Sequence, residues 1–117
     1  MLSIIEKDKK KIALFTLTGD PLGESDAELV RQKMRLVVDS KIPHVIFEMK
    51  GVRHINSAGL GGLVMANVTM AKAGGTIQFT DIGVNVMKVL KMTRLDTVLE
   101  IVPTADEAIT QWTNDQE

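Results

Sequence analysis

Between residues 44 and 101, short runs dense in β-branched and aromatic residues alternate with stretches whose apolar residues recur at helical spacing. His44-Val45-Ile46-Phe47-Glu48-Met49 reads as a strand buried over most of its length, Ala58 to Ala73 as a helix stopped by Gly74-Gly75, and Thr76-Ile77-Gln78-Phe79-Thr80 as a further strand. Strands that return through a helix lie parallel to their neighbours, because the crossover carries the chain back to the same end of the sheet. This alternation commits the chain to an α/β fold.

The rest of the pattern fits around that sheet. Residues 2–6 and 11–18 form two short strands across a lysine-rich turn (Lys7, Lys9, Lys10, Lys11), read as a solvated hairpin, and Gly19-Asp20-Pro21 ends the second. Ser25-Asp26-Ala27-Glu28 has the form of a capping box, followed by Val30, Met34, Val37 and Val38 at helical spacing as far as Asp39. Asp81 is placed to cap a short helix holding Val86, Val89 and Leu90, Val98–Ile101 reads as a last short strand, and Thr104-Ala105-Asp106-Glu107 opens a terminal helix. The expected order is ββαβαβαβα. It makes one domain over residues 1–113, a mostly parallel mixed sheet with an antiparallel N-terminal hairpin at its edge and about four helices, with 114–117 as a loose tail.

Composition excludes several functions. The chain has 117 residues, 44% of them hydrophobic and 25% charged, enough for a continuous core without disulfides or metals. With 14 Lys+Arg against 15 Asp+Glu, the net charge of -1 offers no general attraction to nucleic acid or anionic membranes. The absence of cysteine removes thiolate nucleophiles and sulfur-ligated zinc, and fits a reducing compartment. Met1–Glu6 has too short an apolar stretch for a signal peptide and no run approaches a membrane span, so a cytoplasmic location is expected. His44 and His54, the only histidines, lack the spacing of a metal site. A Ser57–His54 nucleophilic pair is disfavoured, since residues three apart around a turn rarely aim at each other. Gly59-Leu60-Gly61-Gly62 lacks the lysine and the spacing of a nucleotide loop, so no cofactor is expected.

The informative segment runs from Ile55 to Leu63, where a strand's loop becomes a helix. Ser57 falls at the natural N-cap position. Unlike the helices opening at Ser25 and Thr104, this one has Leu60 where a capping box would place glutamate, so no side-chain carboxylate competes for its positive end. An anion added to Ser57 would meet free backbone amides. From 58 to 73 the only charged residue is Lys72. With Leu60, Leu63, Val64, Val68 and Ala71 turned inward, Gly62, Met65 and Thr69 lie outward, offering a small, uncharged surface to another protein.

Asn56-Ser57-Ala58-Gly59-Leu60-Gly61 resembles the hallmark segment of the STAS family, the sulfate transporter and anti-sigma factor antagonist domains. Supporting matches are Leu17-Thr18-Gly19, Ala73-Gly74-Gly75, Val89 to Asp96, and Thr104 to Ala108, so the resemblance spans nearly the whole chain. It implies a protein-binding switch and not an enzyme. Ser57 matches the family's phosphoacceptor, and the surface formed by Asn56, Ser57, Ala58, Gly59, Gly61, Gly62, Met65 and Thr69 would bind the partner. That partner is an anti-sigma factor serine kinase, which carries the ATP, and a serine phosphatase would reset the switch. The domain itself is expected to be a monomer or weak dimer. Two departures stand out: Asn56 replaces the family's acidic residue before the serine, and Pro21-Leu22-Gly23 displaces the aspartate that usually follows the Gly19 position. The alternative implied by the same resemblance is a constitutive docking subunit of a larger signalling or transport complex, in which Ser57 is only a helix cap.

Overall fold

In the computed structural model, which describes residues 2–7 and 10–115, the strands are β1 (Leu2–Lys7), β2 (Lys10–Gly19), β3 (His44–Val52), β4 (Thr76–Thr80) and β5 (Ile101–Val102). The helices are α1 (Glu24–Asp39), α2 (Ser57–Lys72), α3 (Val84–Met92) and α4 (Ala105–Asp115). One five-stranded sheet has the spatial order β1-β2-β3-β4-β5, with β1 antiparallel to β2 and every other pair parallel. The strand and helix order and the mixed sheet are those expected from the alternation. Of the lysine-rich turn, Asp8 and Lys9 lie outside the described residues.

Side-chain alternation along the central strands divides the interior in two. Val45, Phe47 and Met49 of β3 point into the larger core beneath α1, α2 and α3, where Phe47 meets Phe15 and Phe79 edge-on at 5.1 and 5.3 Å. Edge-to-face contact sets the positive ring edge against a negative face, so the chain's three phenylalanines, in register across β2, β3 and β4, pack as one row. Ile12 and Ile46 point the other way and are covered by Ala105, Ala108 and Trp112 of α4. Near the end of β3, Thr16 pairs with Glu48 but Thr18 pairs with Gly51, so β3 carries one extra residue. A Cβ on Gly51 would stand 2.7 Å from the Thr18 methyl, which is why glycine occupies the bulge.

Helix starts and the last strand depart from the sequence pattern. The cap of α1 lies two residues earlier than Ser25: Gly23 is the N-cap, with no side chain to complete a capping box, and its N–H donates to the Asp26 carboxylate at 2.9 Å. Gly83, not Asp81, precedes α3, while Asp81 sits at a left-handed φ of 56 and accepts from the Thr80 hydroxyl at 2.8 Å. Val98–Ile101 is not a strand. Leu95–Thr97 forms a single 3-10 turn and the Val98 and Leu99 N–H groups both bond to the Leu95 carbonyl, so β5 starts only at Ile101. Thr104 caps α4 as its motif indicates, accepting from Glu107 N–H at 3.2 Å. The helix runs through Asn114 and Asp115, which the expected loose tail left outside the domain; Gln116 and Glu117 lie outside the described residues. No helix among the described residues is long and apolar enough to cross a membrane.

A buried polar chain joins the sheet to α4. His44, 1% exposed, lies parallel to Trp112 at 5.0 Å. Its Nε2–H donates to Gln78 Oε1 at 2.8 Å and its Nδ1 accepts from the Thr76 hydroxyl at 2.6 Å. The Gln78 amide then donates to Glu100 at 3.2 Å and Gln111 at 3.4 Å. Burial pushes the imidazole pKa below its ordinary 6.5, outweighing its hydrogen bonds, which act in the opposite sense. Below 6.5 the unfolded chain therefore binds a proton that the folded chain resists. The stability due to neutral His44 is complete above that pH and is lost as pH falls toward the folded-state value. Urea midpoints of the native protein are expected to drop between about pH 7 and pH 5, and His44→Gln to remove part of that slope. Parallel pH profiles for the two proteins would count against this.

Candidate functional site at the start of α2

Two loops meet where the parallel strands end. Beyond Val52 the chain continues beside the segment that follows β2: Arg53 N–H donates to the Gly19 carbonyl at 2.9 Å, Leu22 N–H to the His54 carbonyl at 2.9 Å, and Asn56 N–H to the Leu22 carbonyl at 3.2 Å. Leu22, 2% exposed, anchors this stitch in the core. The first turn of α2 then lies against the same segment. A Cβ on Gly59 would stand 2.2 Å from the Leu22 carbonyl oxygen, so any side chain there would push the helix away.

The N-cap of α2 is Asn56, which corrects the assignment of that role to Ser57. Asn56 is extended, its Oδ1 accepts from Gly59 N–H at 3.0 Å, and its carbonyl accepts from Leu60 N–H at 2.9 Å. Asparagine and serine are equally good caps. Here the stitch to Leu22 sets the extended backbone at position 56, and that position therefore takes the role. Ser57 becomes the first helical residue. It is exposed, its hydroxyl has no hydrogen-bond partner among the described residues, and the first turn holds no acidic side chain. The Ser57 and Ala58 N–H groups are among the first-turn donors that a helix cannot satisfy internally.

The face α2 turns inward differs from the expected one. Gly59, Leu63, Ala66 and Met70 are buried, Leu60 and Val64 are half-buried, Ala71 is exposed, and Val68 is 37% exposed. Gly62 and Thr69 face α1 instead of solvent. A Cβ at position 62 would meet that of Ala27 at 2.9 Å, and Thr69 lines a groove of about 260 Å³ between α1 and α2. The helix is apolar or small on every side, so periodicity alone does not fix its rotation. Of the residues expected at the surface, Asn56, Ser57, Gly61 and Met65 are exposed, Ala58 is half-buried and Gly59 is buried. A Cβ on Gly61 would meet nothing within 4 Å. The outward stripe is Ser57, Gly61, Met65, Val68 and Lys72.

His54 does not serve Ser57. Its Nδ1 donates to Asp20 at 2.5 Å and its Nε2 accepts from the Asn85 amide at 3.3 Å, joining the two loops to the start of α3. Sequence reasoning missed this bridge, because its three residues are far apart in the chain. Val84, beside Asn85, is 72% exposed.

The model of the STAS domain matches residues 4–108, and the chain belongs to that family. Among solved structures, an anti-sigma factor antagonist from Mycobacterium paratuberculosis is 21% identical, with a TM-score of 0.74 over 95% of this chain and 92% of that one. The anti-sigma factor antagonist SpoIIAA in its unphosphorylated form is 16% identical, with a TM-score of 0.77 over 97% of both chains. The phosphorylated form of the Bacillus protein gives 0.69 at 17% identity, over 95% of this chain and 98% of that one. SLC26A9 is 20% identical with a TM-score of 0.69, covering 89% of this chain but 20% of the larger one. At these identities the likeness speaks for the fold.

The division of labour at the helix start is measurable. Asn56→Ala is expected to cost about 1 kcal/mol of stability through the lost cap, and Ser57→Ala less than about 0.5 kcal/mol, as for an exposed residue with no bond to lose. Denaturant unfolding of the two variants checks the order; the reverse order would return the cap to Ser57.

Proposed function

We propose that this STAS domain is a protein-binding switch of the anti-sigma factor antagonist type, not an enzyme. Unmodified, it docks an anti-sigma factor serine kinase through the Ser57 turn and the outward stripe of α2; phosphorylated on Ser57 by that ATP-carrying partner, it releases it. A serine phosphatase restores the docking form. The observation that carries this reading is that Asn56 does the capping while Ser57 stands exposed, its hydroxyl with no hydrogen-bond partner among the described residues.

The surroundings of Ser57 suit such a switch. A phosphoryl group adds about -1.5 to -2 charges. Moving a partner from 99% to 1% bound needs a differential of about 5.5 kcal/mol, more than a charge at an interface rim supplies. The modified residue must therefore lie inside the contact. Gly61, one turn on, lets a partner backbone approach closely, and Met65 and Val68 supply adaptable apolar surface. In the free domain the first-turn amides can receive the phosphate, with no carboxylate at Asn56 or Leu22 to oppose it. The family's acidic neighbours are absent there, so the modified form is expected to be electrostatically tolerated.

A second reading, a constitutive docking subunit of a larger signalling or transport complex, is favoured by the match to one fifth of SLC26A9 and by Asn56 in place of an acid. It no longer has Ser57 as a cap to rest on. Intact-mass measurement of the protein from its native cell separates the two, since a scaffold carries no phosphorylated population in any growth condition. In binding assays with a purified anti-sigma kinase, Ser57→Asp is expected to bind at least tenfold more weakly than Ser57→Ala. Equal affinities would overturn the switch.

A further inference from the structure

The sheet ends at β1, whose outer edge faces no other strand among the described residues. Its register with β2 places Lys7 opposite Lys10, so two residues connect the strands. The pair flanking a two-residue hairpin loop exchanges both backbone bonds, and alternate pairs do so along the ladder. Ser3, Ile5 and Lys7 therefore bond inward to β2, and the backbone groups of Leu2, Ile4 and Glu6 point outward. Nothing blunts this edge over Leu2–Ile5: it has no proline, no charge and no bulge in the β1–β2 register.

An apolar flank runs beside the open edge. Leu2 and Ile4 share the sheet face of Phe15 and Ala13, which α1 covers only partly. Ile4 is 50% exposed, and Leu29 and Leu36, seven residues apart on α1, are 53% and 55% exposed. Leu2 borders two grooves between β1 and α1, of about 210 and 340 Å³, one flanked by Leu29 and the other by Leu36. The unpaired backbone and the uncovered leucines thus form one surface, on the side of α1 away from α2.

We propose that this surface pairs with a second copy of itself, β1 against β1, around a two-fold axis perpendicular to the sheet that passes midway between the two Ile4 residues. A two-fold placed there preserves the faces of the sheet. It sets Ile4 opposite Ile4 and Leu2 opposite Glu6, the register in which all three outward-pointing residues of each strand find partners. The same rotation brings the two α1 flanks together above the seam, where Leu29 and Leu36 lose water. A lone peptide strand would satisfy the backbone and leave those leucines exposed; a second copy supplies both halves of what the surface lacks. A six-residue edge is about 20 Å long. Even with one helix flank, the patch falls below the roughly 1,600 Å² of a standard interface, so the dimer is weak and concentration-dependent. Both Ser57 turns stay outside it, and the inference stands independently of the proposed switch.

The absence of cysteine makes the register directly testable. Hydrogen-bonded antiparallel partners have Cα atoms about 5.5 Å apart, within disulfide reach. Under mild oxidation Ile4→Cys should form a covalent dimer, while Ser3→Cys, facing Ile5, and Thr97→Cys, exposed elsewhere, should not. Sedimentation of the unaltered chain should show its mass rising from 12.8 kDa toward twice that value between about 1 and 500 µM. Leu36→Glu, at an exposed position, should remain monomeric throughout while keeping the native circular dichroism. Monomer at every concentration, equal cross-linking at all three cysteines, or a Leu36→Glu dimer as strong as the native one would each overturn the proposal.

Discussion

One carbonyl oxygen, that of Leu22, holds the candidate site in shape. It accepts the Asn56 N–H at 3.2 Å and leaves no room for a side chain at position 59. From this contact the rest follows. The Asn56 backbone is held extended, its side chain turns back to cap α2, and Ser57 is carried out to the surface as the first helical residue. The helix can sit this low only because Gly59 lacks a Cβ, and it can pass close to α1 only because Gly62 does too. The glycines of this segment therefore serve different ends. Gly59 and Gly62 make room for the protein's own backbone and neighbouring helix, whereas Gly61 leaves room outside.

The same geometry gives meaning to the family departures at Asn56 and Leu22. A carboxylate at position 56 could also cap, but it would put a negative charge next to Ser57. Asparagine does the capping without charge. Leu22 spends its side chain on the core instead of on the surface. The result is a helix start with no acidic side chain in its first turn, as in α3 and unlike α1 and α4.

Architecture was legible in the sequence where one periodicity dominated. The run His44–Met49 could only be a central strand, and the alternation after it could only be crossovers. Details set by tertiary contact were not legible. Asn56 and Ser57 are both good caps, and the choice between them lies in a hydrogen bond to Leu22, 34 residues away. The rotation of α2 was ambiguous because Gly59, Ala66 and Val68 are all compatible with either face, and packing against Ala27 decides. Val98 and Leu99 have strand-like side chains, but the Leu95 carbonyl captures both of their amides and bends them into a turn.

At the opposite end of the sheet, Trp112 and Gln111 take their places only where His44 and Gln78 lie on one face of neighbouring strands, as diagonal neighbours. Shift β3 against β4 by one residue and the imidazole would face the wrong layer, leaving the terminal helix with nothing to stack on. The terminal helix is therefore tied to one alignment of β3 and β4: its stacking and hydrogen-bonding partners exist only in the native register.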